Sequence, residues 1–438
     1  MMVHLANILV ASGNSGDARM LTEQLRGHGY ESRVADSAEA ALSLAQRSRP
    51  DIVLIGPDFP DGGWFKLAAS LKEHASLQDL PVFVLTTDSL GEASRLALDV
   101  GVDDVMALPF HADELLARMR PLVRMGTMRT ELLHRAAAAT AFGVAIETTF
   151  GSSTDQGCNL LTVGNDLASL PSLFGPKATF THTDNIYEAE DLLTRRNFDA
   201  AVVRLDAQPE ECMGLCAQVR NNPRLFNLPI LVIDDGGLDA VEAYRKGASR
   251  VLGAAVDADV LYGATLALVR RQQRRWAVRD LLQQTLRDAT SDLDTGVYSR
   301  DFLRAYLDRR LAEARTEHRH LSLVMFRAPN VEGVRQQFGD EAAAHLLLQL
   351  GQWITGLLRA EDLTARYRDN EFCVVLPDTP SEEAEVVMHR IAGVLTYTDF
   401  AVRDVYQPVK VWVQVGSTMV APDDDVDTAI GRARHSLD

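Results

Sequence analysis

Two side chains of opposite charge, Arg359 and Asp362, stand three positions apart at the end of a predicted helix over 341–358. Guanine presents acceptors at N7 and O6 and donors at N1 and N2, so a guanidinium can contact the first edge while a carboxylate accepts from the second. The pair can therefore read both edges of one guanine base. Arg and Asp at this spacing also form weak ion pairs on exposed helices, so a surface ion pair remains the alternative interpretation.

A second motif, Arg368-Asp369-Asn370-Glu371-Phe372, follows shortly after the first. The pair of motifs resembles the diguanylate cyclase (GGDEF) domain with its product-binding RxxD site. In that family two glycines let a nucleotide phosphate approach the backbone, and the next residue is an acid that ligates metal. Because Arg368, Asp369 and Asn370 stand at these positions, the resemblance implies an intact binding half and a broken catalytic half.

The resemblance extends over residues 291–438 and begins with a DxxTGxxxR motif, Asp292 to Arg300. Active cyclases use carboxylate-held metal ions to activate a 3′-hydroxyl, and further residues read guanine. Two counterparts of the metal-binding acids and two of the guanine readers are changed, namely Arg327, Pro329, Arg335 and Ala344. The chain also ends at Asp438, ahead of the Lys and Arg that hold GTP phosphates in active members. The resemblance therefore implies a domain without cyclase activity.

The ligand that the resemblance implies is cyclic di-GMP. Arg359 and Asp362 stand at the RxxD site, and Arg390, on a predicted helix over 382–395, stands at a secondary site that gives a second arginine to a stacked ligand dimer. Neither a metal nor a cofactor is expected. The hypothesis is that the domain binds the dinucleotide and does not make it.

An internal repeat occupies the first part of the chain. Residues 49–55 recur as 197–203, and residues 80–84 recur as 228–232, at one common offset. Each copy alternates short continuous apolar runs, typical of strands buried on both faces, with stretches of helical period. This pattern predicts a doubly wound parallel sheet. The fold class is therefore α/β, with two tandem flavodoxin-like domains that resemble response-regulator receivers, followed by the nucleotidyl-cyclase-like GGDEF domain.

Both receiver-like copies lack the residues that accept a phosphoryl group. A receiver needs an Asp after its third strand, an acidic pair for Mg²⁺, and a Thr and a Lys, because transfer to a carboxylate brings like charges together. The acceptor position falls on Gly56 in the first copy and on Arg204 in the second. The other positions hold Ser12-Gly13, Thr86 and Leu108 in the first copy, and Gly164-Asn165 and Ala254 in the second. We expect no phosphorylation, and by resemblance an interaction role through the fourth and fifth helices and last strands.

The sequence divides into five predicted segments. These are residues 1–140, a degenerate receiver-like domain with a C-terminal helix; 141–157, a linker; 158–265, the second degenerate receiver-like domain; 266–290, a connecting helix; and 291–438, the degenerate GGDEF domain. Four arginines lie on the connecting helix, namely Arg270, Arg271, Arg274 and Arg275. In an acidic chain they are interpreted as a solvated helix face.

Composition excludes several classes of function. A net charge of −17 argues against DNA binding, which requires Lys and Arg to neutralise phosphates. The sequence has no apolar run near the length of about 18 residues that spans a bilayer and no secretory signal, so neither membrane insertion nor export is expected. The four cysteines predict free thiols in a reducing cytoplasm and no metal site.

The order receiver, receiver, GGDEF resembles the PleD-type response regulators. With these losses, the resemblance implies a cyclic di-GMP effector at the cell pole that acts as an adaptor in cell-cycle control and regulated proteolysis. Its implied partners are the adaptor RcdA, the regulator CtrA and the ClpXP protease, and a homodimer is expected. Two alternatives stay open: a residual cyclase or GTP-binding enzyme, and an inert structural scaffold.

Overall fold

The computed structural model describes residues 5–60, 63–148, 157–165, 167, 170–204, 209–222, 224–403 and 405–437. The chain divides into two compact units. The first unit contains residues 7–126 and 150–277, and the second contains residues 1–6, 127–149 and 278–438. None of the helices in the described ranges combines the length and the apolar character needed to cross a membrane.

The first copy of the repeat forms a five-stranded sheet in the order β2-β1-β3-β4-β5. Its elements are β1 (Ala6–Ala11), α1 (Ser15–Gly27), β2 (Tyr30–Ala35), α2 (Ala38–Ser48), β3 (Ile52–Ile55), α3 (Gly63–Glu73), β4 (Val82–Thr86), α4 (Leu90–Val100), β5 (Asp104–Ala107) and α5 (Ala112–Thr140). The central strands pair in parallel, and every residue of β3 is buried. The predicted parallel sheet is confirmed.

The second copy has the same strand order, β10-β9-β8-β6-β7, read from the opposite edge. Its elements are β6 (Cys158–Gly164), α6 (Leu170–Phe174), β7 (Ala178–Thr183), α7 (Ile186–Arg195), β8 (Ala200–Arg204), α8 (Pro209–Asn221), β9 (Ile230–Asp234), α9 (Ala240–Lys246), β10 (Arg250–Gly253) and α10 (Ala258–Gln284). All its strand pairs are parallel. The internal repeat therefore corresponds to two sheets of one topology.

The last helix of each copy crosses a boundary, which is the predicted domain boundary in the second copy and the boundary between the two units in the first. Helix α10 starts at Ala258, so the predicted boundary at 265 falls inside it. Helix α5 runs without a break to Thr140, and its end belongs to the second unit. Phe142 and Val144, at the start of the predicted linker 141–157, pack against the core of that unit. The part of the linker from 149 to 156 lies outside the described residues.

Within the first unit, the two copies pack through their fourth and fifth helices and last strands. Arg250 of β10 forms an ion pair with Asp104 of β5. Gly263 of α10 lies against α4, where an added Cβ would meet the Ser94 side chain at 3.2 Å. The Tyr244 hydroxyl of α9 donates to Glu114 of α5 at 3.2 Å. The face that the receiver resemblance offers for docking is therefore used inside the chain.

The basic cluster on α10 contributes to this packing. Arg274 pairs with Asp103 at 2.5 Å, and Arg270 donates to the Leu98 carbonyl at 3.3 Å. Burial lowers the pKa of Arg271 to about 10, because a desolvated guanidinium holds its proton less strongly. The interpretation of this cluster as a solvated helix face is wrong. An amphipathic pattern shows which residues are polar, but it does not show that another charge will meet them.

The second unit is built on a four-stranded antiparallel sheet in the order β12-β13-β11-β16. Its elements are α11 (Arg300–Glu317), β11 (Leu321–Arg327), α12 (Val331–Phe338), α13 (Asp340–Gly356), β12 (Leu363–Arg368), β13 (Glu371–Pro377), α14 (Ser381–Tyr397), β14 (Asp399–Phe400), β15 (Val409–Lys410), β16 (Gln414–Met419) and α15 (Val426–His435). Helices α12, α13 and α14 bury one side of the sheet. Helices α11 and α15, with the end of α5, bury the other.

Local signals explain where these helices begin. The Ser299 side chain accepts from the Phe302 N–H at 3.2 Å and caps α11, and Asp425 caps α15 in the same way through the Thr428 N–H at 2.7 Å. Gly339 separates α12 from α13 with φ at +91°, a left-handed backbone region that favours glycine. These residues therefore set where α11, α13 and α15 begin.

The end of α5 joins the second unit through a network of buried charges. Glu131 has a fully buried side chain and forms an ion pair with Arg310 at 3.0 Å. The Tyr306 hydroxyl donates to the same carboxylate. Thr127 donates to Asp378 at 2.7 Å. Residues that precede the family domain in sequence are therefore part of its folded core.

Glu313 gives this network a pH dependence that can be measured. Burial alone would raise its pKa, but His134 and Arg310 lower the pKa to about 2 from an ordinary value of 4.5. A depressed carboxyl pKa stabilises the fold above about pH 4.5, and this contribution is lost as the pH falls toward about 2. We expect the destabilisation caused by Glu313→Gln, measured by urea denaturation, to be clearly larger at pH 7 than near pH 3. The same loss of stability at both pH values would contradict this assignment.

Candidate functional site

The RxxD residues lie in the turn between α13 and β12. Helix α13 ends at Gly356, so the predicted position of Arg359 at the end of a helix is corrected to the turn that follows. The Asp362 carboxylate accepts from the Arg359 N–H at 2.8 Å, and the Asp362 N–H donates to the Arg359 carbonyl at 3.2 Å. These two bonds fold the four residues into a closed turn. Arg359 is exposed at its start.

Arg390 lies next to the same turn. It stands on α14 and donates from Nη2 to the carbonyl oxygen of Leu357 at 2.9 Å, two residues before Arg359. The structure therefore brings the three predicted ligand-binding residues together within one domain. A guanidinium carries five N–H donors, so Arg390 keeps donors beyond the one that it gives to Leu357.

A fourth residue, Arg135 of α5, contacts this turn and was missed by the sequence reasoning. Its Nη2 donates to the carbonyl oxygen of Glu361, the residue that precedes Asp362. Arg135 is buried, and its guanidinium carbon lies 5.8 Å from the centre of the Tyr298 ring. The available signal was the helical pattern of α5, which continues far beyond β5, the last strand of the first copy, and ends at Thr140.

The degenerate motif occupies the tight connection between β12 and β13. Arg368 and Asp369 are exposed there. Asn370 is tied to Ala328, which donates its N–H to the Asn370 carbonyl at 3.0 Å and accepts from Asn370 Nδ2 at 3.2 Å. Arg327 pairs in register with Glu371 on the adjacent strand. The motif is thus placed as in the predicted hairpin.

The last two residues of the motif serve the fold. The buried Glu371 carboxylate forms two bonds with Arg434 of α15, at 2.9 and 3.0 Å, and this contact raises the pKa of Arg434. Phe372 lies in the hydrophobic core. The single acid that remains in the second half of the motif is therefore committed to an internal ion pair.

The residues at the cyclase metal positions do not fit a divalent cation. Mg²⁺ is bound by oxygen ligands, chiefly carboxylates. The positions hold the cation Arg327, the imino acid Pro329 and the amide Asn370, whose Nδ2 points at the Ala328 carbonyl. Within the described ranges, no group of three or more His, Cys, Asp or Glu side chains is arranged to hold a metal ion.

The opening motif of the domain is tied to the same hairpin. Asp292 accepts from the Thr295 hydroxyl at 2.7 Å and from Arg366 Nη1 at 3.1 Å. The same Arg366 nitrogen donates to Asp294 at 2.8 Å. These bonds fix the start of the domain against β12, the strand that follows the RxxD turn.

The two phosphoacceptor positions lie where the sequence predicts them, at the carboxyl ends of the third strands. Gly56 follows β3, and its N–H donates to the Ala11 carbonyl at 2.8 Å. Arg204 is the last residue of β8 and makes two bonds with Asp235, at 3.1 and 2.8 Å. In the second copy, the acceptor carboxylate is thus replaced by a cation with its own acidic partner. Thr86 donates to Asp88 at 3.1 Å.

Comparison with known proteins agrees with this architecture. The family model "Diguanylate cyclase, GGDEF domain" matches residues 289–438, and "Response regulator receiver domain" matches residues 8–120. Response regulator PleD of Caulobacter vibrioides is 25% identical over 432 residues, which cover 97% of this chain and 94% of PleD. Response regulator MprA of Mycolicibacterium vanbaalenii is 37% identical over 122 residues, 27% of this chain and 51% of MprA.

Among solved structures, the GGDEF domain of DgcB from Caulobacter crescentus in complex with c-di-GMP matches with a TM-score of 0.33 and 20% identity. The match covers 34% of this chain and 85% of that one. The two family models place a receiver domain ahead of a GGDEF domain, and a response regulator, PleD, is similar to the chain over nearly its full length. The chain is a PleD-like response regulator with receiver and GGDEF domains.

Proposed function

We propose that this chain is a catalytically silent receptor for cyclic di-GMP. The observation that carries the proposal is the arrangement of Arg359, Asp362 and Arg390 around one turn, two from the turn itself and one bonded beside it. Both charges needed to read a guanine base are present in this arrangement, in a domain whose family is built around cyclic di-GMP chemistry.

The chemistry of recognition follows from the geometry of the turn. The exposed Arg359 guanidinium is free to contact the N7 and O6 edge of guanine, and the Asp362 carboxylate, held in place by the main chain, accepts from N1 and N2. Arg390 supplies a second planar cation at the same turn, suited to the phosphate or the base of a stacked second ligand. No metal is needed for this mode of binding.

The residues at the opposite end of the sheet from the RxxD turn support the proposal that the domain is catalytically silent. Phosphoryl transfer between nucleotides requires neutralisation of several phosphate charges, and metal ions held by carboxylates supply much of it. A cation and an amide stand where those carboxylates are required, at Arg327 and Asn370. The loss of one metal ligand removes several kcal/mol of transition-state stabilisation, which is about a thousandfold or more in rate.

The biological role is proposed from resemblance. The pattern of losses is similar to that of PopA, a paralogue of PleD, and this similarity implies an effector at a cell pole that delivers CtrA, with the adaptor RcdA, to ClpXP. A ligand acts in such a role by binding one conformation of the protein, or its homodimer, more tightly than another. The receiver-like copies then serve as interaction modules rather than as phosphorylation switches.

The decisive experiment is calorimetric titration of cyclic di-GMP into the full chain and into Arg359→Ala. We expect saturable binding to the wild type and a loss of at least about tenfold in affinity in the variant, because the guanidinium contact to N7 and O6 is removed. Arg335→Ala is the matched control, since Arg335 stands at the guanine-reading position of the cyclase site and pairs with Glu332 at 2.6 Å. Its affinity for the dinucleotide should not change.

The alternatives are distinguished by the same samples. GTP turnover with Mg²⁺ or Mn²⁺ would establish a residual cyclase and overturn the proposed silence. Absence of binding by the wild-type chain would overturn the receptor and leave a scaffold. Equal binding by the wild type and by Arg359→Ala would show that the ligand binds at another surface of the protein.

A further inference from the structure

The RxxD turn rests on a segment that is not part of the family domain in sequence. The family model starts at residue 289, whereas the side chain beneath the turn is Arg135, at the end of α5. Ala138 and Ala139 continue the contact as buried members of the core of the second unit, and the Phe142 ring lies 5.7 Å from that of Phe302. The segment 127–148 is therefore packed into the domain that carries the turn.

Arg135 is well suited to hold a main-chain carbonyl. It is buried, and it donates to the carbonyl of Glu361, which is itself buried. Burial by itself would lower the pKa of Arg135, but Tyr298, Tyr306 and Glu131 keep the pKa above its ordinary value. The guanidinium thus stays charged, and a charged donor makes a stronger hydrogen bond to a carbonyl than a neutral one.

The position of the bonded carbonyl links Arg135 to the ligand residues. The Glu361 carbonyl belongs to the peptide group that leads directly into Asp362, whose carboxylate closes the turn on the Arg359 N–H. The hydrogen bond from Arg135 restricts the backbone dihedral angles of that peptide, and these angles orient the Asp362 carboxylate. Without it, the turn would sample more orientations, and the ligand would bear the entropic cost of ordering it.

We propose that Arg135 is a positioning residue for the dinucleotide site, so that ligand binding and docking of the segment 127–148 favour each other. The inference rests on the proposed function and deepens it. Coupling between two binding events is reciprocal: if the docked segment raises ligand affinity, the ligand stabilises the docked segment by the same factor. Helix α5 begins at Ala112, so the coupled segment is the end of a helix that both units share.

The test uses the full chain, with Arg135→Gln, Arg135→Lys and a matched control. Thr127→Val is the control, because it removes a bond of 2.7 Å between the same segment and Asp378, which retains Arg319 as a partner. Cyclic di-GMP affinity is measured by calorimetry. Hydrogen–deuterium exchange of residues 359–363 and 127–140 is measured with and without the ligand.

We expect Arg135→Gln to weaken binding roughly tenfold, the usual scale for losing one hydrogen bond from a charged group. Exchange in the turn should rise even without ligand, and the ligand should no longer protect residues 127–140. Arg135→Lys should restore a large part of both effects, because a lysine keeps a charged donor at the site. Thr127→Val should bind like the wild type, although it loses a bond of the same segment.

The outcomes separate the two proposals. Binding by the wild type and equal binding by Arg135→Gln would overturn the positioning role and leave the receptor intact. Equal weakening in Thr127→Val and Arg135→Gln would reduce Arg135 to a general stabilising residue and also overturn it. If the wild type binds no dinucleotide, the receptor fails, and turn exchange in the ligand-free variants decides on its own whether Arg135 orders the turn.

Discussion

Replacement of Asp104 by alanine is expected to destabilise the first unit by about 3–5 kcal/mol. Asp104 is buried between two buried arginines, Arg118 and Arg250. Arg118 Nη2 contacts its Oδ1 at 2.7 Å and Nε contacts its Oδ2 at 3.1 Å, and Arg250 forms a further ion pair with it. Burial alone would raise the pKa of Asp104, but the two guanidiniums hold the pKa well below its ordinary range.

The size of the effect comes from what alanine leaves behind. Arg118 would keep Glu114 at 2.8 Å, but Arg250 would lose the carboxylate of its ion pair while it stays buried beside Arg118. An uncompensated buried charge costs far more than the lost attraction of an exposed pair. Because Arg118 belongs to the first copy and Arg250 to the second, their repulsion would act directly on the packing of the two sheets.

Asp113→Ala is the matched control for Asp104→Ala. It removes the ion pair of Arg245 and Asp113, also between the two copies, at 2.9 Å but with side chains 62% and 33% exposed. We expect a loss of about 1 kcal/mol or less from it. The measurement is native-state hydrogen exchange of β5 and β10, which reports on this unit alone. Equal losses of stability in the two variants would show that the buried cluster of Asp104, Arg118 and Arg250 contributes no more than an exposed ion pair.

Continuous apolar runs made the two parallel sheets predictable from sequence. All residues of β3, and those of β8 up to Val203, are apolar and buried, because both faces of these strands are covered. The pattern therefore directly reflects burial. For the polar face of α10, in contrast, the prediction from sequence was wrong. Arg270 and Arg274 contact a carbonyl and a carboxylate of the other copy, and local periodicity does not encode such contacts between distant residues.

The residues of the candidate site show the same difference between what a local sequence pattern predicts and what it does not. Arg359, Asp362 and Arg390 carry a recognisable motif, because base recognition needs particular side chains at a particular spacing. Arg135 carries none, since its partner is a main-chain carbonyl that any residue at position 361 would provide. Sequence reasoning finds residues whose partners are ligands more readily than residues whose partner is the backbone.

The second large effect is expected in the second unit, where Glu131→Ala should cost about 3–5 kcal/mol. The Glu131 side chain is fully buried beside Arg310, at 3.0 Å, and accepts from the Tyr306 hydroxyl. Its removal takes one carboxylate away from the buried Arg310 guanidinium, which keeps its ion pair with Glu313 at 2.5 Å. That remaining partner places the expected loss toward the lower end of the range.

A double variant separates the charge effect from a simple packing defect. Glu131→Ala with Arg310→Met removes both charges and keeps an unbranched side chain at position 310, so a large part of the stability should return. Arg304→Ala is the control, because the pair of Arg304 and Asp427, at 2.6 Å, is 36% and 69% exposed and should contribute little to stability.

The readout is urea denaturation combined with hydrogen exchange of α11 and of residues 127–140. If residues 127–140 lose protection from exchange while α11 keeps its protection, the segment detaches and the rest of the domain stays folded. If residues 127–140 and α11 lose protection together, the end of α5 is part of the folding unit. The shared core of Ala138, Ala139 and Phe302 implies this second outcome. No recovery in the double variant would attribute the cost to lost packing rather than to an uncompensated buried cation.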